Sequence, residues 1–375
     1  MTTHRNIVDA LTRAADDGQS LVMGTVVHVT GSSYGGVGAR MLVHADDSTV
    51  GLVSGGCLEA DLAEHARLVR ESKVARVVTY DTRADDDSAW GLGLGCNGLI
   101  EVLLESLQPP AARAYAAILE QALGATSPSV LATVIGRTSA SSVPEVGAHA
   151  FFDGANTETM GGWGDREILG LIRHDIPDAM AKQRRGLLRT YGTAGVAFEV
   201  IAPAVRLIVC GSGPDVIPLV RLARELGWNT TVVDHRPVDR ERSQRFLGAS
   251  VVECGDPAKL DDSVSITPQT ACVVMAHNYA RDLEYIGALL KSPAAYIGAL
   301  GPRKRTERML AEMNADEIVA NDSRLFAPIG MDVGAEGPDG IALSIVAEVA
   351  AVMSGREGGH LRDRRGSLHG RPSGI

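Results

Sequence analysis

The sequence predicts an α/β protein in which a C-terminal parallel sheet, covered by helices on both faces, follows an α+β domain with a degenerate internal duplication. Three observations predict it. From Arg206 onward, short continuous apolar runs (RLIVC, NTTVVD, SVVE, ACVVMA, AAYIGAL) alternate with amphipathic stretches near 214–226, 239–247, 280–291 and 303–313. Apolar strands separated by helices are the pattern of a parallel sheet buried on both sides. In the first half, residues 129–148 repeat residues 20–39 without a gap, 109 positions later, sharing a leading Ser, a Ser-Ser pair and Val-Gly-Ala. Finally, 42 glycines beside only 4% aromatic residues suit many tight strand-to-helix turns.

Length and composition bound the rest. A chain of 375 residues is expected to hold two or three domains, and 45% hydrophobic with 22% charged residues describes a soluble globular protein. The net charge of −10 argues against nucleic acid or an anionic membrane as a partner. The N-terminal stretch MTTHRNIVDALTRAADD is polar and helical in pattern, without an apolar signal core, and no apolar run approaches the ~20 residues of a spanning helix. A cytoplasmic location is expected. The five cysteines, at 57, 96, 210, 254 and 272, include no CxxC pair and read as free thiols.

In chain order, the first domain (1–202) is expected to place helices near 4–17, 57–72 and 110–123, and strands at 21–29, 74–80, 98–105, 130–136 and 190–201. The two copies of its repeat span about 20–82 and 129–192, and only the first keeps glycine-rich loops. The second domain covers 205–355. Its last helix, near 338–353, starts at Pro338 and stops at Gly355. Residues 356–375 are Arg- and Gly-rich and read as a flexible tail.

The second domain carries a nucleotide signal. Strand RLIVC runs into Gly211, Ser212 and Gly213, where two glycines permit a sharp turn and close approach of a diphosphate to a helix N-terminus. Asp234 ends the next strand, where an acid binds ribose hydroxyls, so the domain reads as Rossmann-like. Val216 replaces the third glycine of the fingerprint, and Asp215 puts a negative charge beside the phosphate position unless it faces outward. His235 and Arg236, after the acid, read either as contacts for a 2′-phosphate or as a solvated loop. Two further loops follow strands, where open α/β sheets bind ligands. His277 and Asn278 after ACVVMA are candidate ligand contacts, His277 reading equally as a satisfied hydrogen-bonded histidine. Arg303, Lys304 and Arg305 stand at a helix start, where three cations oppose the helix dipole unless an anion is near.

In the first domain, Ser54, Gly55 and Gly56 precede Cys57 and Glu59 at the expected first turn of a helix, a place that favours thiolate and therefore sulfur chemistry or soft-metal ligation. Cys57 is the one candidate metal ligand. Cys96 stands in a second glycine-rich loop, GLGLGCNG at 91–98, whereas Cys210 and Cys272 fall inside apolar strands and read as packing. The loop GSSYGGVG at 31–38, with Gly31, Ser32 and Ser33, followed by Arg40, reads either as an anion cradle or as a hairpin connection.

Taken together, these motifs resemble the XdhC/CoxI-like family, the xanthine dehydrogenase accessory proteins. The resemblance rests on the loops at 31–41 and 51–59, the loop ending at Cys96, and the segments at 211–215, 231–237, 296–303 and 327–348. It implies a non-catalytic maturation chaperone that binds molybdenum cofactor (molybdopterin or its dinucleotide), assists its sulfuration with a cysteine desulfurase, and delivers it to an apo molybdenum hydroxylase such as xanthine or CO dehydrogenase. It also implies a homodimer. Cys57 is then the contact for molybdenum or sulfur, with the glycine loops, Arg40 and the loop at 303–305 for phosphate and pterin. Such chains can carry the hydroxylase's name by association.

The competing reading is an NAD(P)-dependent oxidoreductase with His277 or Tyr279 as proton donor. Against it, the sequence offers no Tyr-x-x-x-Lys pair and no convincing acid–base constellation. A molybdenum hydroxylase itself is excluded by chain length and by the lack of iron–sulfur cysteine spacing.

Overall fold

The structure, a computed structural model, describes residues 4–31, 33–81, 98–137, 144–154, 156–163, 166–182, 186–313 and 322–363. Ser32, Cys96 and the segment from 364 onward lie outside the described residues. The chain divides into two compact units, Met1–Pro203 and Ala204–Ile375.

The first unit begins with α1 (His4–Asp16), then β1 (Leu21–Gly31), β2 (Arg40–Val43), β3 (Thr49–Gly51), α2 (Glu59–Ser72), β4 (Arg76–Asp81), β5 (Gly98–Leu107) and α3 (Pro109–Gly124). There follow β6 (Ser129–Arg137), β7 (His149–Asp153), β8 (Asn156–Met160), α4 (Arg166–His174), α5 (Ile176–Lys182), β9 (Leu187–Tyr191) and β10 (Ala194–Ile201). These strands form two antiparallel five-stranded sheets of the same order, β3-β2-β1-β5-β4 and β8-β7-β6-β10-β9.

Period-two alternation decides what each face meets. From β1, Val22 and Val26 pack with Leu62, Ala66 and Val69 of α2, while Leu21 and Met23 turn to α1, α3 and residues of the second sheet, including Leu131, Phe151 and Ile201. Behind the second sheet, Ile172 of α4 and Ala179 of α5 take the place that α2 holds behind the first. Each valine or leucine removed from water in this way contributes about 1.5–3 kcal/mol.

The two sheets match in detail. Thr25 stands opposite Arg40 on β2, and Thr133 stands opposite His149 on β7. Gly38 and Gly147, in the loops before β2 and β7, have φ of +88° and +89°. Each donates its N–H to a strand carbonyl, that of Val26 and of Val134 respectively. The 109-residue offset read from sequence holds for these loop pairs, whereas Thr25 and Thr133 are 108 positions apart. A one-residue difference therefore separates strand from loop. The segment 190–201, expected as one strand, is a hairpin, β9 and β10, because Gly192 (φ +59°) reverses the chain.

In the second unit, β11 (Arg206–Cys210), α6 (Val216–Glu225), β12 (Asn229–Asp234), α7 (Arg240–Arg245), β13 (Ala249–Glu253), α8 (Leu260–Ser263), β14 (Thr270–Val274), α9 (Tyr279–Leu290), β15 (Tyr296–Ala299), α10 (Arg303–Glu312), β16 (Leu325–Phe326) and α11 (Gly337–Met353) follow in turn. All six strands are parallel, in the order β13-β12-β11-β14-β15-β16. That is the Rossmann order, with its topological switch between β11 and β14. Alternation again sorts the core: Leu207 and Val209 meet α6 and α11, while Ile208 and Cys210 meet α9. Cys210 and Cys272 are fully buried, and burial pushes both thiols up. Among the described residues no helix is long and apolar enough to cross a membrane.

Candidate functional site

Two groups of predicted residues come together in the first unit, the loop after β1 and the cysteine loop after β3. Ser33 closes a local turn through its hydroxyl to the Gly35 carbonyl (2.7 Å). At Gly35 the backbone of Val53 leaves no room for a Cβ, and at Gly55 the Tyr34 ring covers the backbone at 3.2 Å from where a Cβ would stand. The two loops are thus packed on each other. Gly31, Gly55 and Gly56 all have positive φ (+80°, +84°, +113°), which explains glycine at each.

Glu59 organises the cysteine loop. Its carboxylate accepts from the amides of Val53 (3.0 Å), Ser54 (2.8 Å), Gly56 (2.9 Å) and Leu58 (3.1 Å), and from the Ser54 hydroxyl (2.7 Å). Partial burial disfavours the charge, but the bonds from Ser54 and Val53 outweigh it and hold the carboxyl below its usual range. Two expectations are corrected here. Glu59 is not free to bind a ligand, and the Ser54 and Gly56 amides point inward to it instead of cradling an anion. Cys57 also stands before the helix, not in its first turn, since α2 begins at Glu59. Its thiol is free and exposed.

Arg40 is likewise not an anion ligand. Its side chain is 1% exposed and forms a bidentate pair with Glu199 on β10 (Nη1–Oε1 2.9 Å, Nη2–Oε2 2.6 Å), while donating to the Gly38 carbonyl (2.7 Å) and the Tyr115 hydroxyl (3.1 Å). Burial opposes its charge, yet Glu199 raises its pKa. The counterpart of Arg40 in the second sheet, His149, pairs with Glu105 on β5 of the first (2.8 Å) and with Thr133 (2.9 Å). Tyr115 bridges the two pairs: its ring meets His149 edge-on at 5.1 Å and the Arg40 guanidinium at 5.5 Å. Sequence reasoning missed Tyr115, His149, Glu105 and Glu199. Their only trace was the repeat itself.

In the second unit, Gly211 (φ +135°) turns the chain out of β11 against the Met275 carbonyl, where any Cβ would overlap backbone. Asp215 does not face outward. One oxygen lies where a Gly213 Cβ would be, and the other pairs with His277 Nε2 at 2.7 Å. His277 sits in the left-handed region (φ +54°), more than half exposed, after the strand beside β11. The Asp215–His277 pair therefore occupies the switch point, with one carboxylate oxygen engaged by the imidazole.

Asp234, 3% exposed, is enclosed at the end of β12. Its oxygens accept from the Arg236 amide (3.1 Å), Nε (3.2 Å) and Nη2 (2.7 Å) and from the Ser212 hydroxyl. Burial disfavours its charge, and Arg236 and Ser212 more than compensate, so its pKa is lowered. Asn278, expected as a ligand contact, caps α9 by accepting from the Arg281 amide (3.1 Å). Of the three cations at the start of α10, Arg305 is committed: it pairs with the buried Asp282 at 2.8 Å and lies over the Tyr279 ring. Arg303 and Lys304 stay exposed. Tyr279, expected as a proton donor, has its ring under Arg305 and Arg308. Among the described residues no group of three or more His, Cys, Asp or Glu side chains could hold a metal ion.

Comparison with known proteins follows both units. Residues 14–81 match the family described as "XdhC and CoxI family", and residues 207–349 match the "XdhC Rossmann domain". The chain is 31% identical to a Bacillus subtilis protein named as a probable xanthine dehydrogenase subunit, over 93% of this chain and 97% of that one. It is 25% identical to the Escherichia coli "Molybdenum cofactor insertion chaperone PaoD", over 94% and 90%. A crystal structure described as a xanthine dehydrogenase from Bacillus halodurans matches with a TM-score of 0.73 and 31% identity, covering 94% of this chain and 97% of that one.

Proposed function

Because the chain belongs to the XdhC and CoxI family, we propose that it is an insertion chaperone for molybdenum cofactor, serving a molybdenum hydroxylase of the xanthine dehydrogenase type. The relative named as a molybdenum cofactor insertion chaperone, aligned over 94% of this chain, supports that reading. The single observation that carries it here is Cys57: an exposed free thiol on a loop in which the Val53, Ser54, Gly56 and Leu58 amides are tied to one carboxylate.

That arrangement suits a metal–sulfur cargo better than a bare anion. The loop offers one soft donor, and four of its amides, those of Val53, Ser54, Gly56 and Leu58, are spent on Glu59. Gly55 and Gly56 add no side chains, which leaves the thiol open to a bulky planar ligand. Tyr34, 52% exposed and lying on Gly55, is placed to stack on such a ligand's ring system. Sulfuration of the cargo by a cysteine desulfurase, and a homodimeric state, belong to the same proposal. The Rossmann unit is read as a nucleotide-binding unit, with Gly211 and Gly213 at the diphosphate position and Asp215–His277 beside it.

The test is to purify the protein from a host that makes the cofactor and to measure bound pterin and molybdenum on wild type, Cys57→Ala and Cys57→Ser. Wild type should carry both, and the variants neither, with unchanged melting temperature. Full occupancy on Cys57→Ala would remove the thiol from the site. Nicotinamide binding with turnover, and no pterin, would overturn the chaperone reading in favour of an oxidoreductase.

A further inference from the structure

The carboxyl end of β12 does not offer a plain ribose what a dinucleotide fold usually offers it. In that fold the acid closing the second strand accepts from the ribose hydroxyls. Here both oxygens of Asp234 are already engaged, by Arg236 through its amide, Nε and Nη2, and by Ser212 from the glycine turn. The same Nη2 also donates to the Ser212 hydroxyl at 2.8 Å. The guanidinium of Arg236 therefore spans from the acid to the turn, across the place a ribose would take. A ribose with free hydroxyls would have to displace it and could return only neutral acceptors to a cation.

The charge around Asp234 points to what would be accepted instead. Arg236 is half exposed, and its Nη1 has no acceptor among the described residues. His235 is 41% exposed with Nδ1 at 3.1 Å from the carboxylate, and Arg242 Nε is 4.0 Å away. One buried carboxylate thus gathers two arginines and a histidine. Of the other carboxylates of the segment, Asp239 caps α7 by accepting from the Arg242 amide (2.8 Å) and also acts on Arg236 electrostatically, while Glu241 faces Arg245 (3.4 Å). Asp234 aligns the half-exposed guanidinium of Arg236, an arrangement suited to a doubly charged phosphomonoester met by a planar fork.

We propose that this unit binds a nucleotide whose ribose carries a phosphomonoester, with Arg236 as the phosphate ligand, supported by His235 and Arg242 and oriented by Asp234 and Ser212. The proposal rests on the reading of the second unit as nucleotide-binding and names the ligand class that this site prefers. A 2′-phosphate and a 3′-phosphate share this chemistry, and they mark different families of nucleotide.

Isothermal titration of the full chain with 5′-AMP, 2′,5′-ADP and 3′,5′-ADP tests it. One of the two bisphosphates should bind about tenfold or more tighter than 5′-AMP, and which one does so identifies the position of the phosphate. Arg236→Ala should bring that ligand to within about twofold of 5′-AMP, and Arg236→Lys should keep part of the preference. Equal binding of all three by wild type, a result that needs no variant to fold, would overturn the proposal and leave the nucleotide reading standing. So would a preference that survives in folded Arg236→Ala. No binding of any of the three would overturn both.

Discussion

Arg40 and Glu199 are 159 positions apart in the chain and meet in a buried bidentate ion pair, and the residue that corresponds to Arg40 in the other sheet, His149, returns the contact to Glu105. Each sheet supplies one base and one acid, and neither pair is internal to a sheet.

Breaking one member of such a pair leaves an uncompensated buried charge. Arg40→Ala is expected to destabilise the first unit by about 3–5 kcal/mol, read as a lower midpoint in chemical denaturation. Arg40→Met combined with Glu199→Leu should recover much of that loss. If the double variant is no better than the single one, desolvated charge is not the source of the cost.

Gly38 and Gly147 make a second, paired prediction. Both have φ near +90°, and a Cβ at either position would run into the glutamate it faces, Glu199 or Glu105. Each substitution to Ala should therefore cost on the order of 1–3 kcal/mol, with Gly38→Ala the worse because the overlap is closer. Parallel thermal melts of the two variants check this.

Glu59→Gln should leave the fold intact and loosen the cysteine loop. A neutral amide cannot accept the five bonds the carboxylate takes, and one amino group now faces donors. Amide hydrogen exchange at Ser54, Gly56 and Leu58 should speed up about tenfold or more, and pterin retention should fall while the melting temperature moves little. Unchanged exchange rates would show that the loop is held by something else.

Acid should weaken the second unit through Asp234. Its folded-state pKa is lowered from the ordinary Asp value of 3.8, so its stabilising contribution is complete above that value and fades as the pH falls below it. Melting temperature followed from about pH 5 to pH 2 should drop more steeply for wild type than for Asp234→Asn. Parallel slopes would mean that the carboxylate's hydrogen bonds do not survive in solution.

Much of this architecture was readable in the sequence, for physical reasons that differ by region. The parallel strands around Val209 and Val273 are buried on both faces and write themselves as continuous apolar runs, so the second unit could be laid out strand by strand. The two-residue β16 and the reversal at Gly192 are too short to leave a periodic signal. Residues whose role depends on a distant partner were misread. Arg40 follows a glycine loop and looks like an anion ligand, because its acid, Glu199, lies 159 positions away. Asn278 was legible in principle, since an Asn directly before a helix is a cap by default. Glu59, read beside Cys57 as a cofactor contact, instead holds the loop, because the amides it takes up precede it in the chain and leave no sequence pattern of their own.

The crossed pairs also fix how the halves of the first unit depend on each other. Residue i of one sheet meets residue j of the other while j meets i, the form of an isologous contact between two subunits. In a dimer such a contact would come apart on dilution. Here a short stretch between α3 and β6 keeps both sheets in one molecule, so the meeting of the halves is a first-order event and the four buried groups stay paired at any protein concentration. Cutting the chain in that stretch would turn a concentration-independent core into one that assembles only by mass action.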